Sequence, residues 1–176
     1  MAPTDRQGFD HRSDPVRVLV VGCGQMGSAH ARAYHRFDGF DIAGLVSRGP
    51  DSRQRLSDEL GGITTYDDYE SALEATEPDA VSINTYPDTH AEYAITALNH
   101  GAHVFLEKPL ATTVKNGRRV LKAASESGRK LVVGYILRHH PSWKLFVEKA
   151  KTLGKPLVMR MNLNQQSDGG EWEIHK

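Results

Sequence analysis

Short, almost purely apolar runs alternate along the chain with longer amphipathic stretches. The first run, Val16 to Val21, is nearly continuous and β-branched, as expected of a strand buried on both faces of a parallel sheet. Gly22 to Gly27 break it, and a helix is predicted from Met26 to Phe37 with Ala29, Ala33 and Phe37 on one face. A second strand is predicted over Phe40 to Val46, then a helix over Ser52 to Leu60 that Gly61-Gly62 stop. Ile63 to Tyr66 reads as a short strand and Asp67 to Ala75 as a short helix. Ala80 to Asn84, Ala102 to Leu106 and Leu131 to Tyr135 read as further strands, with helices over Thr89 to Asn99 and Thr112 to Ser127 between them. Six such steps with short connections predict an α/β fold: a doubly wound parallel sheet of the Rossmann type.

The pattern changes after Tyr135. Pro141 can open one more helix, running to Leu153. Gly154-Lys155-Pro156 interrupt it, and Leu157 to Asn164 alternate apolar and polar residues, a half-buried strand unlike those before. The expected organisation is a disordered leader over 1–14, a dinucleotide-binding domain over 15–140, and over 141–176 a linker helix with the first strand of a second α/β domain.

Composition narrows the function classes. Lys plus Arg and Asp plus Glu are each 22, so the formal net charge is zero and nothing favours a nucleic-acid or membrane-surface partner. The single cysteine, Cys23, excludes an intramolecular disulfide and fits a cytoplasmic protein. The polar start has no secretory apolar region, and no run is long enough for a transmembrane helix.

The chemistry begins at Gly22-Cys23-Gly24-Gln25-Met26-Gly27, a G-x-G-x-x-G string that follows a buried strand and opens a helix. Gly22 allows the tight turn, Gly24 lets a pyrophosphate approach the backbone, and Gly27 lets helix and strand pack closely. The helix N-terminus, with Gln25 and Met26, offers free N–H groups to the phosphates. NAD sites usually place an acid at the end of the second strand. Here that end reads Leu45-Val46-Ser47-Arg48, without one. Ser47 can hydrogen-bond a 2′-phosphate and Arg48 can pair with it, with Arg53 or Arg55 adding charge. The expectation is NADP(H) ahead of NAD(H), the alternative being that Arg48 is simply a solvated loop residue.

Asn84-Thr85-Tyr86-Pro87-Asp88-Thr89-His90 follows the fourth strand, and Glu107-Lys108-Pro109 the fifth. Both stand at carboxyl ends of parallel strands, where such sheets bind ligands. With the glycine loop, this pairing of P-x-x-H and E-K-P resembles the Gfo/Idh/MocA oxidoreductase family over roughly Val16 to Asn164, and Gly134-Tyr135, Arg138 and Pro141 fit too. The resemblance implies hydride transfer between a nicotinamide cofactor and a carbinol or carbonyl of a sugar, inositol or other polyol. It places Lys108 beside the nicotinamide as the catalytic group, able to steady an alkoxide or move a proton. It sets Glu107, Asn84 and Thr85 along the cofactor's ribose side and has Pro87 and His90 shape the loop against the nicotinamide half. Arg138 would line the substrate side. His90 is equally well read as a structural histidine, and the lesser alternative for Lys108 is a surface lysine before a turn proline. His139-His140 lack the spaced partners of a zinc site, so no metal is expected.

Family members run to well over 300 residues and carry a D-x-G-x-H type motif in the second domain. Gly169 to His175 do not match it, so His175 receives no role. The chain is therefore expected to be truncated, to bind cofactor and to turn over poorly alone, while the intact protein forms a homo-oligomer. A non-catalytic dinucleotide-binding or redox-sensing module, and a glycoside-cleaving enzyme with a transiently oxidised substrate, stand as alternatives.

Overall fold

In the computed structural model, residues 14–155 and 158–160 are described. The first strand, β1 (Val16–Val21), shows how the sheet is covered on both faces. Val18 and Val20 point to one side, Leu19 and Val21 to the other, and all four are buried. Helices α1 (Gln25–Arg36) and α2 (Pro50–Glu59) close the first side, where Ala31, Leu56 and Leu60 meet Val18, Val20, Ile42 and Leu45. Helices α3 (Tyr69–Thr76), α4 (His90–Asn99) and α5 (Val114–Ser127) close the second. There Ala91, Ala94 and Ala97 repeat every third residue, small enough for α4 to lie close against the strands.

Between the helices run β2 (Phe40–Val46), β3 (Thr65–Tyr66), β4 (Ala80–Ile83), β5 (His103–Leu106) and β6 (Leu131–Val133). The strand order is β3-β2-β1-β4-β5-β6, and every pairing is parallel. Chain direction across the sheet therefore reverses between β1 and β4, the crevice where doubly wound sheets hold ligands. This is the Rossmann arrangement expected from the sequence.

Where element ends differ from expectation they do so by one or two residues, several for a clear local reason. Pro50 sits in the first turn of α2, so that helix starts two residues before Ser52. The Asp68 carboxylate accepts from the Ser71 N–H at 2.8 Å, which starts α3 at Tyr69 rather than Asp67. Thr113 caps α5 in the same way through the Asn116 N–H, at 3.2 Å. Strand β6 stops at Val133, two residues short of Tyr135, because the Tyr135 N–H turns back to the Val133 carbonyl at 2.7 Å, and β3 is only two residues long.

The chain divides after Tyr135 into two compact units, earlier than the boundary expected at Pro141 to Gly154. The second unit opens on a 3₁₀ turn, Ile136–Arg138, and continues as α6 (Pro141–Lys151). Of the expected strand Leu157 to Asn164, only 158–160 are described, without regular secondary structure. The expected leader lies outside the described residues apart from Asp14. Among the described residues, no helix is long and apolar enough to cross a membrane.

Candidate cofactor site

Three strand ends meet at the crevice. At the end of β1 the chain turns at Gly22, whose φ of +94° is a left-handed conformation that side chains rarely tolerate. A Cβ there would also stand 2.7 Å from the Asn84 carbonyl oxygen. A Cβ on Gly27 would overlap the Gly22 carbonyl, so α1 packs onto the turn only because Gly27 is bare. Gly24 is different: nothing stands within 4 Å of its missing Cβ. It is the N-cap of α1, and no side chain caps the helix there. The first-turn N–H groups of α1 are thus left for an outside acceptor.

The loop opens onto a pocket of about 580 Å³. Gly22, Cys23, Gly24, Gln25 and Met26 form one wall. Ser47, Arg48, Gly49 and Ser52, beyond β2, form a second. Asn84, Thr85, Tyr86 and Thr89, beyond β4, form a third, and Asp67, Tyr69 and Tyr93 complete the lining. The Tyr69 and Tyr93 rings pack 4.5 Å apart, and the Tyr69 hydroxyl donates to the Tyr93 carbonyl at 2.9 Å.

Arg48 is exposed at the rim, and its guanidinium has no partner among the described residues. Arg53 behaves otherwise. It turns inward and donates to the Ser47 carbonyl at 2.6 Å, holding the loop. Arg55 Nε donates to the Asp51 carbonyl. Neither has the rim position of Arg48. The Ser47 and Ser52 hydroxyls lie 3.4 Å apart, side by side in the lining. Burial pushes the Cys23 thiol up to about 11, so it stays protonated, its Sγ 3.6 Å from the Val46 carbonyl oxygen.

Asn84 donates from Nδ2 to the Ser82 carbonyl and hydroxyl, at 3.0 and 3.1 Å. Its Oδ1 is the one buried side-chain nitrogen or oxygen among the described residues without a hydrogen-bond partner. An unsatisfied buried acceptor is uncommon, and this one belongs to a pocket-lining residue. Bare glycines, uncapped N–H groups and a rim cation are a donor set that fits the phosphates of a dinucleotide, and the spare acceptor can receive a ribose hydroxyl.

Of the residues singled out from the sequence, Gly22, Gly24, Gln25, Met26, Ser47, Arg48, Asn84 and Thr85 line the pocket. Gly27, Pro87, His90, Glu107 and Lys108 do not, and Arg138 belongs to the second unit. Both carboxylate oxygens of Glu107 are engaged inside the protein. Oε1 lies 2.9 Å from His30 Nε2, and Oε2 accepts from the Lys108 N–H at 3.0 Å. His90 is fully buried, its ring nitrogens 2.7 and 3.0 Å from the carbonyl oxygens of Pro109 and Thr85, so it braces two loops. Lys108 is exposed, and its amine has no partner among the described residues. Asp67, Ser52, Thr89, Tyr93 and His30 escaped the sequence reading. Asp67 directly follows β3, so the rule that ligands gather at strand carboxyl ends could have found it.

Residues 16–135 match the family model GFO_IDH_MocA, described as an oxidoreductase family with an NAD-binding Rossmann fold. The chain belongs to the Gfo/Idh/MocA family. This Gfo/Idh/MocA chain is 33% identical over 148 residues to inositol 2-dehydrogenase 4 of Saccharopolyspora erythraea, a match covering 82% of the chain and 44% of that relative. It is 27% identical over 170 residues to 4-carboxy-2-hydroxymuconate-6-semialdehyde dehydrogenase of a Sphingobium species, covering 91% and 54%. Among solved structures, the WlbA dehydrogenase of Bordetella pertussis, in complex with NADH and UDP-GlcNAcA, superposes with a TM-score of 0.73 at 28% identity, covering 81% and 41%. The chain spans about half the length of the relatives it matches.

Proposed function

We propose that this chain is the cofactor-binding half of an NADP(H)-dependent oxidoreductase acting on a CH–OH or carbonyl carbon of a sugar, inositol or related polyol. The observation that carries the cofactor choice is Arg48. Its unpaired guanidinium and the Ser47 hydroxyl stand at the end of β2, where an NAD site would place a carboxylate. A fork of guanidinium N–H groups pairs well with a phosphate dianion, and no acid on that strand end repels it.

The other walls take the remaining parts of the cofactor. The Gly22–Gly27 turn and the first turn of α1 would hold the pyrophosphate, and Asn84 and Thr85 would meet a ribose. A bound nicotinamide would supply the hydride chemistry, while the protein orients it. Lys108, by family resemblance, would stand at the reacting carbon, where its free amine can stabilise an alkoxide or carry a proton. Arg138 would serve the substrate side. Residues from Pro141 onward would begin a substrate domain. Relatives named as inositol dehydrogenases, and a neighbour solved with a UDP-sugar, support the substrate class.

A fluorescence titration tests the cofactor assignment. NADPH should bind the chain at least tenfold tighter than NADH, about 1.4 kcal/mol. Arg48→Ala should erase that difference by weakening NADPH alone. Equal affinities in the unaltered chain would contradict the assignment to NADP(H).

A further inference from the structure

The catalytic lysine of this reading sits in a turn tied to the phosphate-binding helix by a side-chain pair that the cofactor reading does not use. His30 stands on the second turn of α1, directly after the glycine loop. Its Nε2 lies 2.9 Å from Oε1 of Glu107, 77 positions later in the chain. The Glu107 side chain is 7% exposed and that of His30 is 21% exposed. The second carboxylate oxygen accepts the backbone N–H of Lys108 at 3.0 Å. A carboxylate can only accept, so Nε2 carries the proton shared with it.

The surroundings leave the carboxylate little freedom. The Phe105 ring packs 4.9 Å from the His30 ring. A Cβ on Gly134 would come within 3.3 Å of Glu107 Oε1, so the bare glycine after β6 is what makes room for the group. Three pieces of chain, α1, the end of β5 and the end of β6, thus converge on one buried acid. On the far flank, His90 reaches the Pro109 carbonyl from α4, so the Lys108–Pro109 turn is braced on both sides.

We propose that His30 is a positioning residue: through Glu107 it fixes the Lys108–Pro109 turn relative to the phosphate cradle of α1. Helix α1 then sets two parts of the cofactor at once, gripping the pyrophosphate with its first turn and placing Lys108 at the nicotinamide with its second. A buried acid deprived of its partner would reorient, and that change releases the Lys108 N–H. This inference rests on the dinucleotide reading of the pocket.

The test compares His30→Asn, too short to reach Glu107, with His30→Gln, whose amide can stand near the position of Nε2. Two readouts are needed: hydrogen exchange of the Lys108 amide, and affinity for NADPH beside that for 2′-phospho-ADP-ribose, which lacks the nicotinamide. In His30→Asn, Lys108 exchange should speed at least tenfold while β1 amides keep their protection. NADPH affinity should fall at least threefold, with the fragment unaffected. His30→Gln should restore both. Unchanged Lys108 exchange in His30→Asn would overturn the proposal, as would equal losses for both ligands alongside faster β1 exchange, the mark of a purely structural role. Absence of binding by the unaltered chain would instead defeat the dinucleotide reading, and this inference with it.

Discussion

At the scale of single residues, the site divides into groups that neighbouring sequence explains and groups that only the fold brings together. Gly22, Gly24 and Gly27 were legible because their reasons are local: a left-handed turn, an open approach and a close helix contact within six residues. Arg48 was legible because a strand end fixes where it must stand. The contact between Glu107 and His30 was not legible, because the two lie on different elements and no spacing rule connects them. Arg53 was expected to add charge beside Arg48, and one of its terminal nitrogens donates to the Ser47 carbonyl. Cys23 yields a prediction at this scale. Burial holds its thiol near 11, far above neutral pH, so little thiolate is available for attack. The folded chain should react with iodoacetamide at pH 8 at least tenfold slower than the unfolded chain. Comparable rates would show that the thiol is not held as described.

At the scale of elements, the alternation of apolar runs and amphipathic helices identified all six strands and the helices between them. Their type was legible because strands buried on both faces are nearly continuous apolar runs. Their ends were less so, because capping depends on where one side chain finds an N–H. Asp67 and Thr112 both looked like starts, but Asp68 and Thr113 make the bonds. The prediction belongs to α5: Thr113→Ala removes the acceptor for the Asn116 N–H and should cost about 1 kcal/mol of stability in urea unfolding. A change near zero would mean that the cap contributes nothing. Pro141 offers the strongest punctuation after β6 in the sequence, and the compact first unit ends at Tyr135, two residues past β6.

For the whole molecule, stability against acid follows from three exposed carboxylates. The Ser71 hydrogen bonds hold the Asp68 carboxyl below its usual value of 3.8. The bonds from Arg32 to Glu59 and from Arg119 to Glu92 hold those groups below 4.5. A depressed folded value means that the proton binds the unfolded chain more readily. The stabilisation is therefore complete above about pH 4.5 and is lost as the pH falls through the lowered values. The melting temperature should stay level from pH 7 to 5 and fall below about 4.5. The part due to the two ion pairs should shrink in 0.5 M salt, because exposed pairs are screened. A melting temperature that rose on acidification would contradict this.

Mapping NADPH onto the ¹⁵N-labelled chain by NMR tests whether the crevice between β1 and β4 is a dinucleotide site. Amide signals of the Gly22–Gly27 turn, the Ser47–Ser52 loop and the Asn84–Thr89 loop should shift together on titration, while those on the helical faces away from the strand ends stay in place. Shifts clustered elsewhere, with the glycine turn unmoved, would contradict the dinucleotide reading.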